Sequence, residues 1–273
     1  MHKPSIYSKK RLFNLIKVSD LLDILKYLAV VAFLVWLMAR GTERLGYNWQ
    51  WYRIPKYLFQ FDEGGFHFGP LISGLMVTLR ITALGLVLSM VIGMLTALFR
   101  LSESFLARFV ARIYLEIIRN TPLLVQIFFL YFVLAPLFDL SRFFAGVLAL
   151  SLFEGAYVSE IFRSGIISIQ RGQWEASYSL GLSSFDTYRF VILPQAIRRI
   201  LPPLTGQAIS LIKDSALVST IAIYDLTMEG RAIIAETFLT FEIWFTIALM
   251  YLVITTALSI VANQLETRFH VYS

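Results

Sequence analysis

Apolar residues are concentrated in about six long runs that are separated by shorter polar stretches. A helix that crosses a bilayer needs about 20 mostly apolar residues, so we expect each run to span a membrane. The predicted spans are 21–39, 71–98, 121–138, 143–162, 203–222 and 243–263. No short repeat, low-complexity tract or flexible linker divides the sequence, which indicates one helical membrane domain.

Composition agrees with this pattern and restricts the chemistry. Of the 273 residues, 58% are hydrophobic and only 15% are charged, which excludes a water-soluble enzyme. Cysteine is absent and the three histidines, His2, His67 and His270, are far apart in the sequence. We therefore expect no metal site and no cysteine nucleophile.

The basic residues predict the orientation in the membrane. The net charge of +6 is compatible with a nucleic-acid partner, but Lys and Arg lie between the apolar runs, where they set topology. They are enriched in the segments that are internal if the amino terminus is internal. This bias predicts both termini in the cytoplasm, with membrane lipid and not nucleic acid as the surroundings.

The first 70 residues are predicted to form a separate part of the chain. The first apolar run follows a basic stretch that resembles a signal peptide, but no small-x-small cleavage site precedes Arg40, so we interpret the run as a retained anchor. The segment Gly41–Pro70 is rich in Tyr, Trp and Phe. It is predicted to be an outer loop with rings at the membrane interface, in preference to a ligand cage.

A long stretch of mixed polarity, about 163–203, lies between two predicted spans. Helical spacing from Trp174 to Leu180 predicts a short helix, with Glu175 in its first turns where an acid suits the helix dipole. Gly181 is expected to end it, and Ser183 or Ser184 to cap a second short helix. The sequence therefore predicts a compact knob of helix, glycine bend and helix.

Glu154 is the most informative polar residue within a span. An ionised carboxylate at membrane depth costs about 2.5–3.5 kcal/mol, so it faces protein, water or substrate. Two interpretations stay open. Glu154 lines a transport path on one helix face with Tyr157, or it forms an internal ion pair with Arg80, Arg119 or Lys213.

Other polar residues surround a predicted break and the end of a span. Arg119 precedes Pro122, a position typical of a helix restarting after a break; it either attracts a substrate carboxylate or snorkels to the interface. Lys213 and Asp214 are adjacent, so they are expected to pair with other helices. For Glu160 and Arg163 we favour a structural role.

The knob resembles the EAA loop of ABC importer permeases. The matching residues are Glu175-Ala176-Ser177, then Gly181 after three residues, and Val191, Ile192 and Leu193-Pro194 after nine more. Ser177 and Val191 depart from the pattern in identity but not in spacing. Three further segments resemble the polar amino acid permeases of this class. They are Gly155-Ala156-Tyr157 with Glu160, Arg163-Ser164-Gly165-Ile166 and Gly172-Gln173; Glu116, Arg119, Thr121-Pro122-Leu123-Leu124 and Gln126; and Lys213-Asp214-Ser215-Ala216-Leu217.

This resemblance implies an all-α membrane protein with the transmembrane domain of a type I ABC transporter over residues 71–268, a five-helix core preceded by one additional amino-terminal helix. It implies import of polar amino acids across the bacterial inner membrane. The implied partners are two ATPase subunits, a second identical or paralogous permease and an external substrate-binding protein. ATP and Mg are expected on the ATPase, because no phosphate-binding G-x-x-x-x-G-K-[ST] pattern occurs in this sequence.

The resemblance, together with the polar residues weighed above, gives two sets of candidate residues. The ATPase-coupling loop comprises Trp174, Glu175, Ala176, Ser177, Gly181, Leu193 and Pro194. The candidate substrate pathway comprises Glu154, Tyr157, Arg119, Gln126, Lys213 and Asp214. Two alternatives remain: an ion-coupled secondary transporter or channel that uses Glu154, which leaves the knob unexplained, and a membrane scaffold or sensor without flux.

Overall fold

The computed structural model describes residues 18–62 and 65–268, in two compact units, Met1–Trp49 and Gln50–Ser273. The basic residues before position 18 and the residues after 268, on which the orientation prediction partly depends, lie outside the described residues. In the first unit, helix α1 (Val18–Leu45) contains the apolar stretch Asp23–Gly41, which is long enough to cross a membrane. It corresponds to the predicted anchor.

The second unit contains the remaining elements. They are α2 (Pro55–Leu58), β1 (Phe59–Asp62), β2 (Gly65–Phe68), α3 (Pro70–Leu101), α4 (Phe105–Arg119), α5 (Leu123–Phe128), α6 (Ala135–Leu137), α7 (Arg142–Ile167), α8 (Arg171–Ser179), α9 (Ser184–Asp186), α10 (Leu193–Asp214), α11 (Leu226–Thr237) and α12 (Thr240–Arg268). The 3-10 helices are Trp51–Arg53, before α2, and Ser215–Ile221, after α10. The π-helical stretches are Phe129–Leu134, between α5 and α6, and Thr187–Ile192, between α9 and α10.

Four helices of the described chain are long and apolar enough to span a membrane: α1, α3, α7 and α12. The pair formed by α4 and the helix Leu123–Leu137 makes a fifth if it is counted as one bent span. The predicted span 203–222 is wrong as drawn, because it is divided between the end of α10 and the following 3-10 helix. Two arginines, two internal prolines, Lys213 and Asp214 make α10 too polar to qualify, and it packs instead against α7 and α12.

Helices α3 and α7 form the centre of the domain and run parallel to each other. The contacts follow the same order along both helices, which shows that they are parallel. From the first to the last, they are Gly85 with Leu150, Gly93 with Val158, and Arg100 with Glu160. A Cβ atom on Gly93 would lie 2.6 Å from Cγ1 of Val158. Small residues therefore permit the close approach, as is common between membrane helices.

The chain turns sharply between α4 and α5, whose axes differ by 107°. Pro122 has an extended conformation and caps α5, while the hydroxyl of Thr121 donates to the carbonyl of Ile117, 2.8 Å away. The break predicted next to Pro122 is therefore present, and the hydroxyl satisfies one of the carbonyls that the end of α4 leaves free.

The aromatic segment before α3 is partly ordered into a hairpin. Strands β1 and β2 pair antiparallel, with Phe59 opposite Phe68, and the rings of Phe59 and Phe66 lie 5.7 Å apart. Ile54 and Tyr57 are buried in a cluster with residues of α3, α11 and α12. Residues 50–69 thus pack onto the transmembrane domain, although the sequence grouped them with the anchor.

Candidate functional site

The structure has the predicted helix, glycine bend and second helix in the loop after α7. Helix α8 ends at Ser179, and Gly181 follows with φ of +76°. The amide of Gly181 donates to Tyr178 O at 2.9 Å and the amide of Leu182 donates to Ser177 O at 3.2 Å. These two bonds form a Schellman motif, which requires a left-handed residue at the Gly181 position and fixes the direction of the bend.

The second arm of the loop leads directly into α10. The Ser183 hydroxyl accepts from the Asp186 amide at 3.2 Å and so caps α9. A π-helical stretch, Thr187–Ile192, then continues into α10, with Pro194 in its first turn, where no amide donor is needed. The predicted second short helix is therefore the beginning of a long one.

Contacts between the two arms make the loop a single rigid projection. The rings of Trp174 and Tyr188 meet edge to face with centroids 5.1 Å apart, and Gln195 donates to the side chain of Gln173 at 3.2 Å. Aromatic pairs of this geometry contribute about 0.5–1.5 kcal/mol beyond their buried area. We call residues 171–193 the knob.

The knob exposes several polar side chains, Glu175 among them, and several large apolar ones. Glu175 and Ala176 are exposed, as are the large side chains of Tyr178, Leu180 and Phe185. Ser177 is only 2% exposed, and its hydroxyl donates to Trp174 O at 2.8 Å. This bond explains how serine is accommodated where the EAA pattern has alanine.

Glu154 lies in the interior of the bundle and is only 1% exposed. One carboxylate oxygen accepts a hydrogen bond from the Gln207 side chain on α10, while the other has no partner among the described residues. The carboxylate of Asp214, also on α10, is close enough to interact with Glu154 electrostatically. Within the described chain Glu154 forms no ion pair with Arg80, Arg119 or Lys213, so the ion-pair interpretation finds no support in this subunit.

Arg119 belongs to a second polar cluster, centred on Glu160. Its guanidinium donates to Ala156 O at 3.0 Å, lies 5.5 Å from the ring centroid of Tyr157 and reaches Glu160 at 4.0 Å. Arg100 and Arg163 both pair with Glu160 more closely. Glu154 and Tyr157 were predicted to share one polar helix face. In the structure Glu154 faces α10 and Tyr157 lies beside α4, so they belong to different clusters.

Gln126 lies at the break between α4 and α5. Its side-chain nitrogen donates to Ile118 O at 2.8 Å and to Thr121 O at 3.0 Å, and its oxygen is buried without a partner among the described residues. An apolar cavity of about 350 Å³ adjoins it. Lys213, the remaining pathway candidate, is exposed on α10 in the single subunit.

Two residues of the polar clusters were not identified from the sequence. Gln207, the donor to Glu154, is a polar residue within a predicted span, a signal that justifies a search for a buried partner. Arg100, which pairs with Glu160, was interpreted only as a basic residue of an inner loop. The two residues are 60 positions apart, so the sequence gives no sign of the contact.

A bundle of membrane helices with one buried and one partly buried polar cluster, a broken helix and a rigid projection defines a polytopic α-helical transport protein. The chain belongs to the family of binding-protein-dependent transport system inner membrane components, whose model matches residues 89–271. It is therefore a multi-pass component of the inner membrane, with the fold of a type I ABC transporter transmembrane domain.

Individual relatives support the same assignment. The chain is 43% identical to the glutamine transport system permease protein GlnP of Escherichia coli (strain K12), over 74% of this chain and 93% of that protein. It is 40% identical to the L-cystine transport system permease protein TcyB of Bacillus subtilis (strain 168), over 75% and 89% respectively.

Solved structures agree with the fold. An amino acid ABC transporter crystallised with histidines matches with a TM-score of 0.69 and 40% identity, over 73% of this chain and 94% of that chain. The inward-facing methionine ABC transporter MetNI matches with a TM-score of 0.62 over 74% and 96%, and at 16% identity it supports the fold alone.

Proposed function

We propose that this chain is the membrane-spanning subunit of an importer that moves polar amino acids into the cytoplasm, driven by separate ATPase subunits. The observation that carries the proposal is the knob, a rigid helix–glycine–helix projection that exposes the large apolar side chains of Tyr178, Leu180 and Phe185. Relatives named for glutamine and cystine transport support the substrate class.

The knob is suited to transmit force between subunits. Its exposed Leu180 and Phe185 offer apolar surface to a cleft on an ATPase, and Glu175 beside them offers a charge for orientation. Because α7 and α10 connect directly to its two arms, movement of the knob displaces the helices that carry Glu154 and Gln207. Trp174, Ser177 and Pro194 hold the projection in shape.

The remaining partners follow from the mechanism. Two ATPase subunits would supply ATP and Mg sites, a second like permease would complete a two-fold pore, and an external binding protein would deliver the amino acid. The chain itself would carry no cofactor and no catalytic activity. Both termini would lie in the cytoplasm, on the side of the knob.

The two polar clusters supply the proposed solute path. The Arg119 guanidinium is suited to a substrate carboxylate, with the Tyr157 ring adjacent and Gln126 bonded at the helix break that follows Arg119. Glu154 and Asp214, with Lys213 at the end of the same helix, are suited to a polar or cationic side chain. The unbonded oxygen of Glu154 leaves one acceptor for that purpose.

Reconstitution into liposomes with the ATPase and binding protein tests the proposal. We expect ATP-dependent uptake that Glu175→Arg reduces at least tenfold while the amount of chain in the membrane is unchanged. Glu236→Arg, at an exposed position on α11, is the matched control and should transport normally. Unchanged uptake in the Glu175 variant would refute the coupling role, and flux without any ATPase would favour the ion-coupled alternative.

A further inference from the structure

A second cavity, of about 430 Å³, lies between α3, α4 and α7 and is lined by five arginines. They are Arg100 on α3, Arg108, Arg112 and Arg119 on α4, and Arg163 on α7. Glu116 is the acidic residue in the lining, and it accepts a hydrogen bond from Asn120 at 2.9 Å. The cavity is open on one side, so a ligand can enter it from outside the bundle.

Positive charges exceed negative ones around this cavity among the residues that the structure describes. Glu160, which is outside the lining, pairs with Arg100 and Arg163, and Glu116 in the lining is the second carboxylate nearby. Five guanidinium groups therefore face two carboxylates, an excess of three positive charges among the described residues. Arg112 makes no hydrogen bond or ion pair within the part of the chain that the structure describes, and Arg108 donates only to a backbone carbonyl, that of Ser102, at 3.1 Å. Clustered guanidinium groups of this kind are suited to bind phosphate oxygens.

Helix α4 also presents an apolar surface directly beside this cavity. Phe105, Leu106, Phe109, Val110, Ile113 and Ile117 are all exposed. At helical spacing they form one stripe, and Arg108 and Arg112 border it on the side of the cavity. A ligand that places an anionic group among the arginines therefore has apolar side chains next to it along the same helix.

The cavity is at the same end of the bundle as the knob. Arg100 lies in the last turn of α3 and Arg163 in the last two turns of α7, which runs parallel to α3 and leads into the knob. An anionic headgroup at this end belongs to the membrane leaflet on the ATPase side. Basic pockets between membrane helices on that side are suited to anionic lipid headgroups.

We propose that the cavity binds the phosphate headgroup of an anionic phospholipid, whose acyl chains lie along the exposed apolar stripe of α4. Free phosphate shares the headgroup chemistry but would leave the apolar stripe without a role. The proposal depends on the membrane location of the chain and not on which solute is transported, although Arg119 lines both this cavity and the proposed solute path.

Native mass spectrometry of the purified, delipidated transporter complex provides the test. The complex is titrated with phosphatidylglycerol or with phosphatidylcholine of the same acyl chains. We expect tight retention of phosphatidylglycerol alone, and about 30-fold weaker binding in the Arg108→Gln, Arg112→Gln double variant, which corresponds to about 2 kcal/mol. Arg198→Gln, which removes a charge near the knob but outside the cavity, should bind as the original chain does.

Additional measurements distinguish lipid binding from binding of another anion and from a folding defect. The Arg108→Lys, Arg112→Lys double variant keeps the charge and should retain most of the binding, so a general loss of structure in the glutamine variant would be recognised. Equal retention of both lipids, or unaltered binding by the double variant, would overturn the proposal. Displacement of the lipid by inorganic phosphate would identify a free-phosphate site, and displacement by free glutamine would identify the inner end of the solute path; either result would overturn the lipid assignment.

Discussion

The carboxylate of Glu154 on α7 accepts a hydrogen bond from the side-chain amide of Gln207 on α10, which joins the two helices that enter and leave the knob. This hydrogen bond lies deep in the bundle and connects the two helices that the knob would move. The other carboxylate oxygen of Glu154 has no hydrogen-bond partner within the described residues, so it can accept a further hydrogen bond.

Replacing Glu154 by Gln separates charge from shape. A buried carboxylate is costly at membrane depth, so we expect Glu154→Gln to fold with equal or higher apparent melting temperature. Transport should nevertheless change in its preference among amino acids, measured as relative uptake rates in proteoliposomes. Identical uptake of every amino acid together with unchanged stability would show that Glu154 neither contacts the substrate nor stabilises the helix packing.

Replacing Gln207 by Leu tests the other half of the pair. The change leaves the Glu154 carboxylate without its donor in a buried environment, and we expect a loss of about 1–3 kcal/mol in stability. The matched control is Gln195→Leu, because Gln195 bonds only at the surface of the knob. Equal melting temperatures for the two variants would contradict a structural role for the Glu154–Gln207 bond.

Gly181 provides a test of the knob that does not depend on packing. A Cβ atom there would meet nothing within 4 Å, so the cost of substitution arises from φ of +76° alone. We expect Gly181→Val to cost about 1–2 kcal/mol locally and to lower ATP-dependent uptake, whereas Gly181→Asn, which tolerates the left-handed conformation, should be milder. Uptake that falls equally in both variants would show that the side chain, and not the bend, is responsible.

The knob was predictable because its determinants are local in sequence. Gly181 and Ser183 set the bend and the cap through bonds to residues at most five positions away. The contact of Glu154 with Gln207 was not predictable, because it joins residues 53 positions apart. A single sequence shows that Glu154 needs a partner at membrane depth, but it does not show which polar residue on another helix supplies it.

The boundary error in α10 has a similar cause. The predicted span began at position 203, whereas α10 begins at Leu193 and includes both Pro202 and Pro203. The preceding loop joins it through a π-helical stretch, and contacts with α7 and α12 stabilise a helix whose composition is too polar for a conventional span. Tertiary packing therefore overrides the local signal.

The parallel contact of α3 with α7 predicts different outcomes for two glycines on one helix. At Gly93 a methyl group would lie 2.6 Å from Val158 Cγ1 and 3.0 Å from the Ser159 amide, so we expect Gly93→Ala to lose about 1–3 kcal/mol. At Gly85 the nearest atom, on Leu211, is 3.5 Å away, which is ordinary contact. Gly85→Ala should therefore melt at the same or a higher temperature, because alanine favours a helix.

Thermal unfolding of the two alanine variants in one detergent compares them directly. The helix propensity gained is the same at both positions, so the difference in melting temperature reports the space around each glycine, which is tight against α7 at Gly93 and open toward Leu211 of α10 at Gly85. A Gly85 variant that is less stable than the Gly93 variant would mean that the two helices are not packed in this register.

Asp225, outside the membrane-spanning segments, predicts a dependence of stability on pH. It caps α11 by accepting from the Met228 amide at 2.8 Å, but it is fully buried. Burial raises the pKa of Asp225 from its ordinary value of 3.8 to about 6, partly offset by hydrogen bonds from backbone amides, and Glu229 nearby raises it further. Burial also raises the pKa of Glu229.

The direction of the pH effect follows from the raised pKa. The folded chain holds the Asp225 proton more tightly than the unfolded chain, so this contribution to stability is complete below about pH 4 and is lost as the pH rises through about 6. The loss is on the order of 3 kcal/mol. Asp225→Asn keeps a capping side chain but removes the titration, so we expect it to melt above the original chain at pH 8 and to match it at pH 4.

Asp225→Ala distinguishes titration from capping. It removes both the charge and the cap, so it should lose about 1 kcal/mol relative to Asp225→Asn at every pH, with no pH dependence of its own. Melting curves of the three chains between pH 4 and pH 8 separate the two contributions. If the original chain became more stable relative to the Asn variant as the pH rose, the Asp225 carboxylate would have to be stabilised in its charged form, and the burial that raises its pKa would not be the dominant influence.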